Sequence, residues 1–359
     1  MKYALYGIGR NAKVFLNYNG LYSKDYIVGL FDSDEKKTGT SVMGRDINSP
    51  ELIHEEEFDY IIVCPNDGDE IVASLLHDFR VPANKILKLK DYYKKLSEHL
   101  ASKYANNKEI LDIIFSFMDY EPNIYGSYLK RNPDKYKVYF DKDNDPYILF
   151  EGKRMYYPRG YDLLESCNGE LFVRDVLYEQ GVSSPHLYIK DDGMRRKLNG
   201  GVIVDAGVCE GNFSLRYVEK AKRIYLIEAD ERWCRALEKT FRPYREKVII
   251  VEKYLSRSSD RKHITIDELV KEQIDFLKMD IEGYEIDALL GAKNTLKNSN
   301  CDMSICSYHR ANDEENIRFI LESLGFTTST SDGYMLFMHD PYFCDTLDFR
   351  RGVVYGRKD

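Results

Sequence analysis

The sequence contains no apolar run long enough to cross a lipid bilayer. A membrane-spanning helix needs about 20 consecutive apolar residues, and every apolar stretch of this 359-residue chain is shorter than that. The first residues, MKYALYGIGR, read as a strand and a turn rather than as a secretory leader. We therefore expect a cytoplasmic protein without a membrane span.

The sequence also lacks a cysteine framework and an excess of positive charge. Its seven cysteines are scattered, without C-x-x-C pairs or metal-site spacing, which is typical of reduced thiols in a cytosol. The formal net charge is -8, whereas a nucleic-acid partner would favour a basic surface. These absences argue against a secreted disulfide scaffold and against nucleic-acid binding.

The composition is that of a globular protein with more than one core. Hydrophobic residues make up 43% of the chain and charged residues 31%, so sizeable cores can be buried. At 359 residues the chain exceeds the usual size of a single core. We expect two domains.

Residues 202–215, VIVDAGVCEGNFSL, are the most informative stretch of the chain. An apolar β-branched strand ends at Asp205, and Gly207 and Gly211 allow a tight turn into a helix. This spacing is D-x-G-x-x-x-G rather than the G-x-G-x-x-G of dinucleotide-binding proteins. The stretch predicts a loop that holds a nucleotide-type cofactor.

Two further apolar strands end in acidic residues. The segment RIYLIEA ends in Glu228, the position of an acid that binds ribose hydroxyls, and a third strand ends in Asp280. Acidic loops suit a positively charged sulfonium better than the phosphates of NAD or ATP. The pattern resembles a methyltransferase that uses S-adenosylmethionine.

Four motifs narrow the resemblance. They are HITIDELV (263–270), LKMDIEGYE (277–285), LLGAKNTL (289–296) and SICSYHR (304–310). In this order and spacing they resemble the FkbM family, over roughly residues 200–337. The resemblance implies a class I methyltransferase fold with a mostly parallel sheet. Because members of that family are mostly O-methyltransferases, it also implies methylation of a sugar hydroxyl on a glycan, a polysaccharide or a nucleotide-sugar precursor.

The same resemblance and the chemistry of methyl transfer assign roles to residues. Asp280 is expected beside the methyl group, and His309 is expected to be the base that takes the hydroxyl proton or a residue that orients a loop. The expected cofactor-binding residues are Asp205, Gly207, Gly211, Glu228, Ala229, Tyr254 and Leu255. Glu282 and Glu285 are expected at a helix start. We assign no metal, although Asp280, Glu282 and His309 are side chains that can ligate one.

A second Rossmann-like pattern opens the chain. A short strand leads into GIGRNA, and Asp32 follows about 20 residues later, where a ribose-binding acid belongs. This part resembles the small Rossmann-like domains of sugar-modifying enzymes. It predicts a site for NAD or a nucleotide sugar at Gly7, Gly9, Arg10 and Asp32. The alternative is a dimerisation or docking module, and a dimerisation module would make the protein a homo-oligomer.

These patterns together predict an α/β protein of two Rossmann-like domains. We expect a Rossmann-like domain at 1–92, a helical and irregular linker at 93–146, and the methyltransferase domain at 147–359. The latter begins with a hairpin, YILFEGKRMYYP, that forms a lid or acceptor wall or else a scaffold ribbon. The alternative function is a nucleotide- or nucleotide-sugar-binding assembly protein with a non-catalytic methyltransferase-like domain.

Overall fold

The chain divides into two compact units. The computed structural model describes residues 2–18, 27–116, 136–161, 164–167, 169–173, 180–181, 184–337 and 348–358. One unit comprises Met1–Ser127 with Leu336–Phe349, and the other comprises Tyr128–Met335 with Arg350–Asp359. Among the described residues, no helix is both long and apolar enough to cross a membrane.

The N-terminal unit is built on a six-stranded sheet. Its strands are β1 (Tyr3–Tyr6), β2 (Ile27–Phe31), β3 (Ser41–Val42), β4 (Arg45–Asn48), β5 (Tyr60–Val63) and β6 (Ile86–Lys88). Its helices are α1 (Arg10–Tyr18), α2 (Asp69–His77), α3 (Leu89–Lys103) and α4 (Lys108–Ser116), with 3₁₀ turns at Pro50–Glu55 and Ala83–Lys85. The order is β3-β4-β2-β1-β5-β6, and only the β3–β4 pair is antiparallel. From β4 to β6 the order corresponds to the first five strands, 3-2-1-4-5, of the Rossmann fold.

Helix α3 belongs to the core of this unit. Leu89 and Tyr93 are buried against Leu5 and Phe15, so the helix begins before residue 92 and packs on the sheet. The next helix, α4, also has a buried apolar face. It consists of Ile110, Ile113 and Ile114. Residues 117–135 of the predicted linker lie outside the described residues.

The C-terminal unit contains the larger sheet. Its strands are β7 (Tyr136–Lys137), β8 (Tyr139–Phe140), β9 (Pro146–Phe150), β10 (Lys153–Tyr156), β11 (Leu164–Cys167), β12 (Glu170–Val173), β13 (Val202–Ala206), β14 (Arg223–Glu228), β15 (Val248–Glu252), β16 (Tyr254–Leu255), β17 (His263–Ile264), β18 (Phe276–Met279), β19 (Asp302–Cys306) and β20 (Thr327–Thr330). The last strands of the chain are β21 (Met335–Phe337), β22 (Asp348–Arg350) and β23 (Val353–Arg357). The helices are α5 (Asp192–Leu198), α6 (Asn212–Tyr217), α7 (Glu231–Phe241), α8 (Ile266–Leu269), α9 (Glu285–Leu290), α10 (Lys293–Lys297) and α11 (Asp313–Ser323), with a 3₁₀ turn at Arg242–Tyr244.

The seven-stranded sheet has the class I methyltransferase order. The strands run β15-β14-β13-β18-β19-β23-β20, and β23 alone runs antiparallel to its neighbours. Every residue of β13 is buried, which is typical of a parallel strand covered on both faces. The predicted α/β class and mostly parallel sheet are confirmed.

The predicted hairpin is confirmed as β9 and β10. These strands pair antiparallel, with Phe150 opposite Lys153. Glu151 and Gly152 both have positive φ, 47° and 78°, as a two-residue type I′ turn requires. The hairpin is joined by β8, which makes a three-stranded sheet in the order β10-β9-β8.

Candidate active site

The loop after β13 turns sharply at Gly207 and packs against the end of β18. Gly207 has a φ of 72°, and its N–H donates to the Ile227 carbonyl at 2.9 Å. A Cβ on this residue would lie 1.6 Å from the carbonyl oxygen of Asp280. The predicted cofactor loop and the predicted catalytic strand end are therefore in direct backbone contact.

Gly211 serves the start of α6. It has a φ of 78° and precedes the first helical residue. A Cβ there would meet Leu237 at 2.8 Å and Phe241 at 2.9 Å, both on α7. The missing side chain thus permits the close approach of the loop to α7.

Asp205 is fully buried and holds this loop in place. Its Oδ2 accepts a hydrogen bond from Ser214 Oγ at 2.6 Å, and its Oδ1 lies 3.2 Å from Lys278 Nζ. Lys278 also donates to the Gly207 carbonyl. Burial alone would lower the pKa of Lys278, but the carboxylates of Asp205 and Asp280 raise it above its ordinary value. A charged ammonium therefore joins the cofactor loop to β18.

Glu228 binds the backbone of two loops. Its Oε2 accepts from the Cys209 N–H at 3.0 Å, and its Oε1 accepts from the N–H groups of Ala229 at 2.8 Å and Asp230 at 2.9 Å. A carboxylate offers about four lone-pair positions, so these three bonds leave room for one more donor.

Tyr254 and Leu255 have opposite exposures. Tyr254 is 53% exposed, with its ring 5.8 Å from that of His263, so about half of the side chain is accessible. Leu255 is buried in the hydrophobic core. It supports the strand that presents Tyr254.

Asp280 follows β18 and sits among donors. Its Oδ2 accepts from the Tyr188 hydroxyl at 2.8 Å and lies 3.3 Å from His186 Nε2. Its Oδ1 lies 3.4 Å from both His309 Nε2 and the Tyr308 hydroxyl. Burial alone would raise the pKa of this carboxyl, but the hydrogen bond from His186 and the charges of His309 and Lys278 hold the pKa far below its usual range. Asp280 is therefore ionised.

His309 lies between carboxylates. Its Nδ1 is 3.1 Å from Glu285 Oε1, and its Nε2 faces Asp280 Oδ1 and Glu282 Oε2 at 3.4 and 3.5 Å. Burial alone would lower the pKa of His309, but these three carboxylates outweigh burial and raise it above the ordinary imidazole value. The contact with Glu285 fixes which nitrogen faces Asp280.

Glu285 and Glu282 differ in environment. Glu285 opens α9, is fully buried, and accepts the Ile281 N–H at 2.9 Å, which confirms its predicted place at a helix start. The side chain of Glu282 is exposed, and its φ of 56° puts it in the left-handed region. Of these two glutamates, only Glu285 is held in place by the residues packed around it.

Sequence reasoning missed three side chains of this cluster. His186 and Tyr188 come from a segment ahead of β13, with no motif or periodicity that links them to Asp280. Tyr308 lies within the SYHR motif, with its ring 4.1 Å from that of His309. An aromatic residue next to the predicted base was the one available signal.

Three groups of the described side chains are close enough to hold a metal ion. One is Asp280 with Glu285 and His309, and one is Asp280 with His186 and Cys306. The third is the acidic trio Asp141, Asp143 and Asp145. Lys239 Nζ forms an ion pair with each of the three. We assign no metal to any of them.

The predicted N-terminal site residues also meet at a strand end. Gly7 has a φ of 83°, and its N–H donates to the Phe31 carbonyl at 2.9 Å. Asp32 is buried and accepts from the N–H of Ile8 at 2.7 Å and from Lys37 Nζ at 2.8 Å. Arg10 is the exposed first residue of α1, and a Cβ on Gly9 would have nothing within 4 Å. The space next to the Cα of Gly9 is therefore open.

Two protein families match the sequence. Residues 256–328 match the family described as Methyltransferase FkbM domain, and residues 1–87 match the family described as C2185-like, N-terminal. The first segment contains Asp280, Glu285 and His309. No curated protein matches the chain.

Comparison with solved structures gives one match over nearly the whole chain and others over part of it. A methyltransferase FkbM from Methylobacillus flagellatus KT is 15% identical, with a TM-score of 0.50, covering 99% of this chain and 89% of its own. An S-adenosylmethionine-dependent O-methyltransferase from Thermotoga maritima is 13% identical, with a TM-score of 0.31, over 64% of this chain and 94% of its own. The Methanococcus jannaschii fibrillarin pre-rRNA processing protein is 14% identical, with a TM-score of 0.34, over 64% of this chain and 99% of its own. The resemblance inferred from the four motifs is confirmed: the chain carries an FkbM methyltransferase domain and is an S-adenosylmethionine-dependent methyltransferase.

Proposed function

We propose that the C-terminal unit methylates a sugar hydroxyl of a glycan, a polysaccharide or a nucleotide-sugar precursor. The observation that carries this proposal is the position of His309. Its ring is held by the buried Glu285 on one side and faces Asp280 on the other, and Asp280 is in backbone contact with the cofactor loop. A base thus stands next to the place where a methyl donor would bind.

The residues around the loop fit S-adenosylmethionine. The cofactor carries a positive sulfonium, and the strand ends offer the carboxylates of Glu228 and Asp280. Glu228 keeps an acceptor position for a ribose hydroxyl, and Ala229 and the exposed ring of Tyr254 would flank the adenine. Asp205 acts through Ser214 and Lys278 and is a positioning residue.

When bound, the cofactor supplies an electrophilic methyl group. The chain must place a sugar hydroxyl in line with that group, and positioning alone can account for much of the rate. His309 Nε2 takes the hydroxyl proton, while Glu285 on Nδ1 stabilises the imidazolium that forms. Asp280, held by Tyr188 and His186, accepts a hydrogen bond from the acceptor or from the protonated ring.

Calorimetric titration with S-adenosylmethionine tests cofactor binding, and mass spectrometry of nucleotide sugars and glycans after incubation tests the acceptor. His309→Asn should lower turnover by roughly 100-fold or more with cofactor affinity little changed. Near-normal turnover would make His309 a loop-orienting residue. Asp280→Asn should also lower turnover. Loss of wild-type turnover in EDTA, restored by metal in the wild type but not in Asp280→Asn, would mean that Asp280 ligates an ion.

We further propose that the N-terminal unit binds NAD or a nucleotide sugar at Gly9 and Arg10. The support is the open space over Gly9 at the first residue of α1, where backbone N–H groups favour an anion. Asp32 supports this loop through the Ile8 N–H. This unit would then deliver or sense the nucleotide-linked acceptor.

A further inference from the structure

The corner of the chain between β22 and β23 lies against the SYHR motif. Strand β23 pairs antiparallel with β19, and the pairing continues past the end of both strands. The Ser307 N–H donates to the Gly352 carbonyl at 3.0 Å, and Ser307 Oγ donates to the Arg351 carbonyl at 2.9 Å. Two hydrogen bonds thus join this corner, residues 350–352, to the residue two positions ahead of His309.

Arg350 adds a third hydrogen bond, at the peptide unit that leads into His309. The residue is 5% exposed, and its Nη1 donates to the Tyr308 carbonyl at 2.6 Å. That carbonyl lies in the rigid peptide plane that also contains the Cα of His309. A guanidinium stays charged in proteins, so the donor is present throughout the pH range of activity. Arg350 therefore fixes the backbone from which the imidazole extends.

The side chain of Tyr308 lies among the groups around Asp280. Its ring centroid is 4.1 Å from that of His309 and 5.3 Å from that of His186. Its hydroxyl lies 3.4 Å from Asp280 Oδ1. A shift of the Tyr308 backbone would therefore move a ring that packs against both histidines at Asp280.

The corner that carries Arg350 has little freedom to move. Gly352 is buried, and a Cβ on it would lie 2.1 Å from the carbonyl oxygen of Pro185. Arg351 Nη1 donates to the Gly333 carbonyl at 2.7 Å. Because the backbone of residues 350–352 is held on these sides, the guanidinium of Arg350 is presented to the motif from a fixed support.

From these contacts we infer that Arg350 is a positioning residue for the methyl transfer. It acts through the Tyr308 carbonyl to hold the ring of His309 with Nδ1 at Glu285 and Nε2 at Asp280, 3.1 and 3.4 Å away. Arg350 takes no part in bond making. The inference rests on the proposed function, because the position of this ring matters to the rate only if His309 is the base.

Replacement of Arg350 should lower turnover without lowering cofactor affinity. Arg350→Met keeps an apolar stem but has no donor, and we expect turnover to fall by about tenfold or more, since small misplacements of a catalytic group are costly. Calorimetry should give an unchanged S-adenosylmethionine affinity, which shows that the unit is folded. Arg350→Lys keeps the charge and a donor, so it should retain more turnover than Arg350→Met. It replaces the methionine variant in every measurement if that variant does not fold.

Arg351→Met is the matched control. Arg351 is the neighbouring arginine and also donates to a backbone carbonyl, that of Gly333, while its guanidinium lies 3.8 Å from the ring centroid of Tyr334. The substitution keeps the Arg351 carbonyl that accepts from Ser307. Turnover should therefore stay close to that of the wild type.

The pKa of His309 separates positioning from a general loss of stability. Three carboxylates around the ring raise this pKa, so a ring that moves away from them in Arg350→Met should titrate at lower pH. Loss of the guanidinium charge by itself would raise the pKa, so the sign of the change distinguishes the two effects. NMR of protein labelled at histidine measures the pKa, and the resonance that is missing in His309→Asn is assigned to this ring. Arg351→Met should leave the pKa unchanged.

The inference and the proposed function fail separately. If the wild type methylates a sugar but the two methionine variants have equal turnover, or the pKa of His309 is unchanged or raised in Arg350→Met, Arg350 does not position the ring and the proposed function stands. If the wild type methylates no sugar, the NMR titration still tests the position of the ring. A lower pKa in Arg350→Met would then support the inference while the proposed function fails.

Discussion

At the scale of single residues, Glu285 helps to determine the pH above which His309 can act as a base. The free base is the neutral imidazole, and the carboxylates of Glu285, Asp280 and Glu282 hold the ring protonated to higher pH than usual. Asp313, whose pKa burial raises to about 6, is the other acid whose charge acts on this ring. Turnover should therefore rise with pH through the raised pKa of His309.

Replacement of Glu285 by glutamine should lower the pH at which turnover rises. Glu285→Gln keeps an oxygen for the Ile281 N–H but removes the charge, so the pKa of His309 falls and the acidic limb of the kcat/KM profile shifts to lower pH. Glu282→Gln is the control, with a smaller shift because its side chain is exposed. An acidic limb that stays in place in Glu285→Gln would show that another group titrates.

Glu228 makes a second prediction at this scale. Glu228→Ala removes the acceptor for the ribose and for three backbone N–H groups, so S-adenosylmethionine affinity should fall by about 1.5–3 kcal/mol. Glu228→Gln should lose less, because one oxygen still accepts. Calorimetry of the two variants measures this order, and unchanged affinity in the alanine variant would refute the assignment.

At the scale of elements, the two units build the same strand–loop–strand arrangement. The Gly7 N–H donates to Phe31, the last residue of β2, and the Gly207 N–H donates to Ile227, the last but one of β14. Asp32 and Glu228 each accept a loop N–H, at 2.7 and 3.0 Å. The acid at the end of β2 or β14 therefore holds the glycine loop in each unit, whatever ligand each takes.

The contact of Gly207 with the end of β18 predicts a large stability effect. Gly207→Ala would place a methyl group inside the contact distance of a backbone carbonyl and keep a positive φ, so the loop or β18 must shift. We expect a loss of unfolding free energy of about 1–3 kcal/mol or more. Gly9→Ala is the control, since its Cβ meets nothing within 4 Å. Equal denaturation midpoints for the two variants would contradict the packing described here.

The elements were predictable where the signal is local. Strands β13, β14 and β18, which bring Asp205, Glu228 and Asp280 to one edge of the sheet, are rich in apolar residues, and the turn at Glu151 and Gly152 has its own sequence signature. The neighbours of Asp280 were not predictable in the same way. Tyr188 reaches Asp280 across 92 residues of sequence, and only the packing of the fold determines such a contact.

At the scale of the whole molecule, the chain joins a methyltransferase unit to a second Rossmann-like unit. The family matches fall on separate segments, 1–87 and 256–328. The nucleotide that we propose for the N-terminal unit is distinct from the methyl donor of the C-terminal unit. The N-terminal unit can then be tested by its own thermal response, with no methyl transfer needed.

The ligand of the N-terminal unit should be blocked by a bulky residue at position 9. NAD, a nucleotide sugar or a related nucleotide should raise the melting temperature of the full chain, because a ligand that binds only the folded state stabilises it. Gly9→Trp should abolish that shift, since the indole would fill the open space over the loop beside Arg10, whereas Gly9→Ala should keep most of it. S-adenosylmethionine should still stabilise Gly9→Trp, which shows that the C-terminal unit is intact. If no nucleotide of the panel shifts the melting temperature of the unaltered chain, the unit is a docking or dimerisation module, and the oligomeric state of the protein becomes its measurable property.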